Sequence, residues 1–174
     1  MKNKLVLLFI VVLLAFGSQA YSADVPLNFQ VKLMLKILSM DRNFSRFGDP
    51  VKIGVSSDKF LSELNKMKGK MKVKGKDFVA EKMGGPGDIV NFKVIYVGKD
   101  WAANYAAASS AANTNKALMF CESEDGVLAG GGAISFKVVA KKPKIVINIG
   151  NVKNQGTDFP AGFLKITVVV GSMN

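Results

Sequence analysis

Histidine is absent from the 174-residue chain. Without it there is no Ser-His-Asp or Cys-His catalysis, no histidine general base and no usual zinc site. Cysteine occurs once, as Cys121, so no intrachain disulfide can form. Cys121 ends the apolar run Ala117–Cys121 and reads as an inert, buried strand residue. Arginine is limited to Arg42 and Arg46. Together with the lack of interleaved aromatics, this argues against a nucleic-acid partner. No Gly-x-Gly-x-x-Gly occurs, and no Lys-Ser/Thr follows the triple glycine Gly130–Gly132, so no nucleotide or phosphate loop is present. Glu122, Glu124 and Asp125 near Gly126 lack the alternating oxygens and closing Glu of an EF-hand. Glu63, Glu81 and Asp88 sit in ordinary charged surroundings. We therefore expect no catalytic, cofactor-binding or metal-binding residues, and no enzyme.

What is present begins with export. Lys2 and Lys4 precede an apolar run from Leu5 to Phe16, and Gly17-Ser18-Gln19-Ala20 follows. A basic start, about a dozen apolar residues and a small-x-small site make residues 1–20 a Sec signal peptide. The run is short of the ~20 residues that span a bilayer, and no lipoprotein cysteine follows it. Residues 21–174 are then one domain. Loss of Lys2 and Lys4 leaves 22 basic against 13 acidic residues, a net charge of +9. That balance favours acidic partners or anionic lipid.

The remaining chain alternates strands and helices. Leu27–Asn43 reads as a helix with a narrow polar stripe at Asn28, Lys32, Lys36, Ser39 and Asn43. Val51–Val55 reads as a strand, and Ser56, Ser57 and Asp58 as caps for a helix burying Phe60, Leu61 and Leu64. From Lys66 to Lys76 lysine holds every second position. Period two predicts an edge strand with Lys68, Lys70, Lys72 and Lys74 on one solvated or partner-binding face. Met83–Asp88 reads as a loop, Ile89–Val97 as a central strand, Trp101–Asn115 as an alanine-rich helix and Lys116–Cys121 as a buried strand. A short helix over Asn151–Gly156 and a closing strand over Thr167–Val170 complete the chain.

The chain is organised around a hairpin. Ile134, Phe136 and Val138 alternate with Ser135 and Lys137; after Val139–Pro143, Ile145, Ile147 and Ile149 alternate with Lys144 and Asn148. The pattern predicts one inward face and one wet face carrying Ser135 and Lys137. Gly130, Gly131 and Gly132 ahead of it suit a bulge, a positive-φ turn or the close approach of another chain. The fold expected is a single α/β domain: a mixed sheet of βα units plus an antiparallel hairpin, with helices packed on it.

Gly130–Val138, Pro143–Ile149 and the later Gly162–Ile166 resemble the corresponding segments of the YfiR family of small periplasmic proteins. The likeness extends more loosely to the first helix and Ile53–Val55. It implies a non-enzymatic periplasmic regulator that binds the periplasmic sensor domain of an inner-membrane signalling enzyme and represses it. That enzyme is a diguanylate cyclase in the family's best-known arrangement, and a sensor kinase serves equally. The resemblance also implies release by an outer-membrane lipoprotein and is compatible with a homodimer. Family members often carry cysteine pairs; lone Cys121 departs from that, so no redox sensing is carried over. The surfaces expected to meet the partner are Gly130, Gly131, Gly132, Ser135 and Lys137, and secondarily Lys68, Lys70, Lys72 and Lys74. Two other readings compete. One is a small-ligand module with a cleft at the strand ends; the other is a secreted structural subunit that self-associates through the hairpin edge.

Overall fold

The computed structural model describes residues 24–129 and 131–171. The leader expected over residues 1–20, and Gly130, lie outside them.

The first helix, α1 (Leu27–Leu38), buries Val31, Met34, Leu35 and Leu38 and leaves Asn28, Lys32 and Lys36 to solvent. It stops short of Asn43, and a 3-10 turn over Phe44–Phe47 follows. Strand β1 (Val51–Val55) leads through buried Ser56 and Ser57 into α2 (Asp58–Asn65). The Ser57 hydroxyl accepts the Phe60 amide at 3.4 Å, an N-cap that frees the chain to turn sharply out of the sheet. Phe60 and Leu64 face inward, and Phe60 stacks on Tyr96 with centroids 3.4 Å apart.

Strands β2 (Phe78–Lys82), β3 (Val94–Val97), β4 (Leu118–Cys121), β5 (Ile134–Val139), β6 (Lys142–Asn148) and β7 (Val168–Val170) complete one seven-stranded sheet. Its order is β2-β1-β3-β4-β5-β6-β7. The pairings from β2 to β5 are parallel, β5 and β6 are antiparallel, and β7 runs parallel to β6. Helix α3 (Tyr105–Asn115) connects β3 to β4, α4 (Asp125–Leu128) precedes β5, and α5 (Ile149–Asn154) and α6 (Ala161–Leu164) separate β6 from β7. The α/β class, the single mixed sheet and the hairpin are as expected.

Hydrophobic clusters cover both faces of this sheet. One gathers α1, α2 and the phenylalanines of the 3-10 turn and C-terminal region; the other includes Met83, Ile89, Phe92 and the buried side of α3. With both faces covered, every residue of β3 and β4 is buried. The same covering overrides the alternation expected of β5, where Ser135 is as buried as Ile134 and Phe136.

Three further expectations are corrected. Residues 66–76 are not a strand: turns lead from α2 to an isolated Val73–Lys76 bridge, with positive φ at Gly69, Lys74 and Gly75. The strand in this region is β2, immediately after. The central strand starts at Val94 rather than Ile89, because Pro86–Asn91 forms a 3-10 helix whose entry is held by Asp88, its Oδ2 accepting the Gly84 amide at 2.7 Å. Lys99–Asn104 is also 3-10, so the alanine-rich helix begins at Tyr105 rather than Trp101.

Candidate partner-binding surface

The hairpin reaches past the rest of the sheet. Strand β5 touches β4 at the single pair Phe120–Ile134, and β7 covers only Val146–Asn148 of β6. Phe136–Val139 and Lys142–Ile145 therefore form a two-stranded arm rising about 13 Å beyond the carboxyl ends of the parallel strands, at ~3.3 Å per residue. Its turn is Ala140-Lys141, both in the left-handed region at φ 49° and 62°. That hand matches the twist of a two-residue hairpin, though Asn-Gly would adopt it more easily.

Register assigns the faces of the arm. Phe136 opposes Ile145 and Val138 opposes Pro143, making an apolar face; Val138 and Ile145 pack against the larger core and Phe136 lies beside Phe120. On the other face Lys137 opposes Lys144 and Val139 opposes Lys142. Directly opposed lysines repel. The Lys137 ammonium is held by Glu124 Oε1 at 2.7 Å, while Lys141, Lys142 and Lys144 are exposed and Val139 is 44% exposed. The arm thus presents cations, one apolar residue at its tip and, among the described residues, no strand paired along either edge.

Gly131 and Gly132 meet this chain's own core. The Gly132 amide donates to the Gly126 carbonyl at 2.8 Å, and a Cβ on Gly132 would overlap the Cys121 sulfur. Gly131 has φ +75°, and its carbonyl accepts the Ser109 hydroxyl of α3 at 2.8 Å. Close approach does require glycine here, but what approaches is this chain's own core. Cys121 beneath is fully buried, and burial pushes its thiol pKa far up, so it is unreactive at neutral pH. Ser135 is buried with no partner for its hydroxyl, so its side chain does not face water as the alternation had predicted. Of the primary surface residues described, Lys137 alone reaches solvent in part as a charged group, on the arm. Lys68, Lys70, Lys72 and Lys74 are exposed, but the turn segment carrying them joins α2 to the start of β2 and so lies at the opposite, amino end of the sheet.

A cleft at the carboxyl ends was not anticipated residue by residue. Strand order reverses between β1 and β3, the place where doubly wound sheets open a crevice. There the Ser56 hydroxyl accepts the Gly98 amide at 2.8 Å and donates to Asp100 Oδ1 at 3.3 Å. Lys82 reaches across to Asp58 at 2.7 Å, and Lys99 pairs with Asp24 at 2.6 Å. A hollow of about 420 Å³ is lined by Ser57, Asp58, Lys59, Lys99, Asp100 and Glu122. It shares Lys99 with a hollow of about 280 Å³ that runs under the arm to Phe136 and Lys137. Carboxylates dominate this rim, yet among the described residues no group of three His, Cys, Asp or Glu is placed to hold a metal. These residues lie scattered between positions 24 and 137; the local signals were Ser56-Ser57-Asp58, read as a helix cap, and the acidic cluster Glu122, Glu124 and Asp125, read against a calcium loop.

A family model described as YfiR/HmsC-like matches residues 42–167. No curated protein matches the sequence significantly. Among solved structures, a conserved domain protein from Vibrio cholerae O1 biovar El Tor superposes with a TM-score of 0.60 at 18% identity, over 86% of this chain and 62% of that one. The ABC domain from Streptococcus pneumoniae in complex with L-Trp gives 0.53 at 16% identity, over 83% and 60%. At such identities the likeness is one of fold. The chain spans about three fifths of the length of each.

Proposed function

Because the chain belongs to the YfiR/HmsC-like family, we propose that it is a non-enzymatic periplasmic regulator that binds the periplasmic sensor domain of an inner-membrane signalling enzyme, a diguanylate cyclase or sensor kinase, and holds that enzyme inactive. The observation that carries this reading is the projecting arm, an extended element with a cationic face and edges that no other strand among the described residues covers. Lys137 and the tip residues Val139–Lys144 form its docking face. An outer-membrane lipoprotein competing for the arm would relieve repression.

Repression requires tighter binding to the inactive sensor conformation than to the active one. Moving a sensor from mostly active to mostly inactive, 1:99 to 99:1, takes about 10⁴-fold discrimination. Such discrimination comes from a few anchored residues, and Val139 is the exposed apolar residue that the arm offers as one.

The test is a pull-down from detergent-solubilised membranes with affinity-tagged protein, read by mass spectrometry. Recovery of one inner-membrane sensor, lost on Val139→Asp together with Lys142→Glu, supports the reading. Recovery of no membrane partner at several salt concentrations overturns it. The hollow at the strand-order reversal favours a second reading, a small-ligand module, for which saturable ligand binding lost on Asp100→Ala is the corresponding observation.

A further inference from the structure

The lysine-rich turns at the amino end of the sheet are set apart from everything above. Lys66, Lys68, Lys70, Lys72 and Lys74 are all exposed and Lys76 half-exposed, whereas Met67 and Met71 are half-buried and Val73 fully buried. Positive φ at Gly69, Lys74 and Gly75 turns the backbone repeatedly, so the alternation survives without a strand. The turns are anchored from inside. The Lys74 amide donates to the Ser39 hydroxyl at 3.2 Å, and Lys74 and Lys76 lie over the Phe44 ring at 5.3 and 5.6 Å.

Little negative charge answers this surface. Lys66 pairs with Glu63 at 2.5 Å, Lys72 pairs with Asp77 at 3.4 Å, and Lys76 donates to the Gly48 carbonyl beside Asp49. Among the described residues, Lys68 and Lys70 have no ion-pair partner. Six of the 13 carboxylates, Asp24, Asp58, Asp100, Glu122, Glu124 and Asp125, lie instead along the carboxyl-end cleft. The lysines of these turns thus lie at the opposite end of the sheet from the carboxylates of the cleft.

We infer that the Lys66–Lys76 turns are a docking surface for an anionic phospholipid bilayer. The chemistry of the segment selects that occupant over an acidic protein. The segment holds no arginine, the residue that grips discrete carboxylates or phosphates through a planar fork. Its apolar residues point inward, so it offers no anchor to fill a protein pocket. Compact ammonium groups on flexible stems suit a smeared field of negative charge, where each lysine near the surface raises binding about fivefold. Nothing inserts into the bilayer, so attachment is electrostatic and labile to salt. The arm, at the other end of the sheet, points away from the lipid.

Vesicle co-sedimentation of the full chain tests this, with phosphatidylcholine vesicles made with and without phosphatidylglycerol, at low and high salt. The expected result is binding that requires phosphatidylglycerol, disappears at high salt and falls about a hundredfold in Lys68→Gln/Lys70→Gln/Lys72→Gln. Lys141→Gln/Lys142→Gln/Lys144→Gln removes the same charge from the arm and is expected to leave most of the binding intact. Three results overturn the inference. One is equal loss in both triple variants, which assigns binding to net charge. Another is equal binding to both vesicle types, which assigns it to the apolar run 5–16. The last is no binding at low salt, which leaves the lysines solvated or in contact with an acidic protein. Because the partner pull-down reads the arm, the two proposals fail independently.

Discussion

Replacing Asp41 with alanine is the sharpest test of how this fold is held. Asp41 is fully buried. Its Oδ1 accepts the Asn43 amide at 2.9 Å and the Asp158 amide at 3.0 Å, and Oδ2 lies 3.6 Å from Arg46 Nε. Arg46 in turn donates to the Lys116 carbonyl and the Thr157 hydroxyl, both at 2.5 Å, and covers Phe47. One carboxylate thus joins the turn after α1 to the segment before α6. Burial pushes the Arg46 guanidinium pKa down while Asp41 pulls it up, so removing Asp41 leaves an uncompensated cation with only 19% of its side chain exposed. Breaking a buried pair costs about 3–5 kcal/mol, and two orphaned amides push towards the upper end. With a urea m-value of about 1–3 kcal/mol/M, the midpoint should fall by about 2 M. Asp41→Asn keeps the acceptor and loses the charge, so it should cost about half as much. Urea melts followed by circular dichroism decide the matter. A loss below about 1 kcal/mol for Asp41→Ala would refute the network as the clasp between the two segments.

Two further outcomes follow from buried or strained groups. The Cys121 thiol and Tyr96 hydroxyl are both raised by burial above their ordinary 9.0 and 10.0. Their contribution is intact below pH 9 and is lost as pH climbs past those unfolded values, because the unfolded chain releases protons that the folded chain retains. Urea melts from pH 8 to 11 should therefore show stability falling from about pH 9, and Cys121→Ala should delay the onset to about pH 10. At the arm tip, Ala140→Asn/Lys141→Gly suits the positive φ of both positions and should raise stability by about 1 kcal/mol, read as a higher thermal midpoint; a lower one would refute the turn geometry.

The parts of the fold legible in the sequence are those where local chemistry and tertiary position agree. Val51–Val55 with Ser57 behind it, the hairpin, and Val168–Val170 each combine β-branched residues with a turn or cap that ends them. Period two misled over Lys66–Lys76, because alternation of exposure does not distinguish a strand from successive turns; Gly69 and Gly75 were the cue that it was not a strand. Strand β2 went unseen because Glu81 and Lys82 on the sheet's edge dilute its apolar signal. Ser135 looked wet because alternation assumes one solvated face, and here both faces are covered. The clasp around Asp41 was beyond local reading, since its partners lie at Lys116, Thr157 and Asp158. The arm was visible as a hairpin, but its projection depends on where β4 and β7 stop, which is a property of the whole sheet.

The Asp41–Asp158 contact, 117 positions apart, also has a consequence in time. A contact that long is made late, since loop closure must precede the stabilisation it brings, and parallel pairing is slow for the same reason. While the chain is being synthesised, the turn after α1 has nothing to fasten to until the segment beyond residue 155 has emerged. The polypeptide is thereby kept from completing its fold until its last strands have emerged.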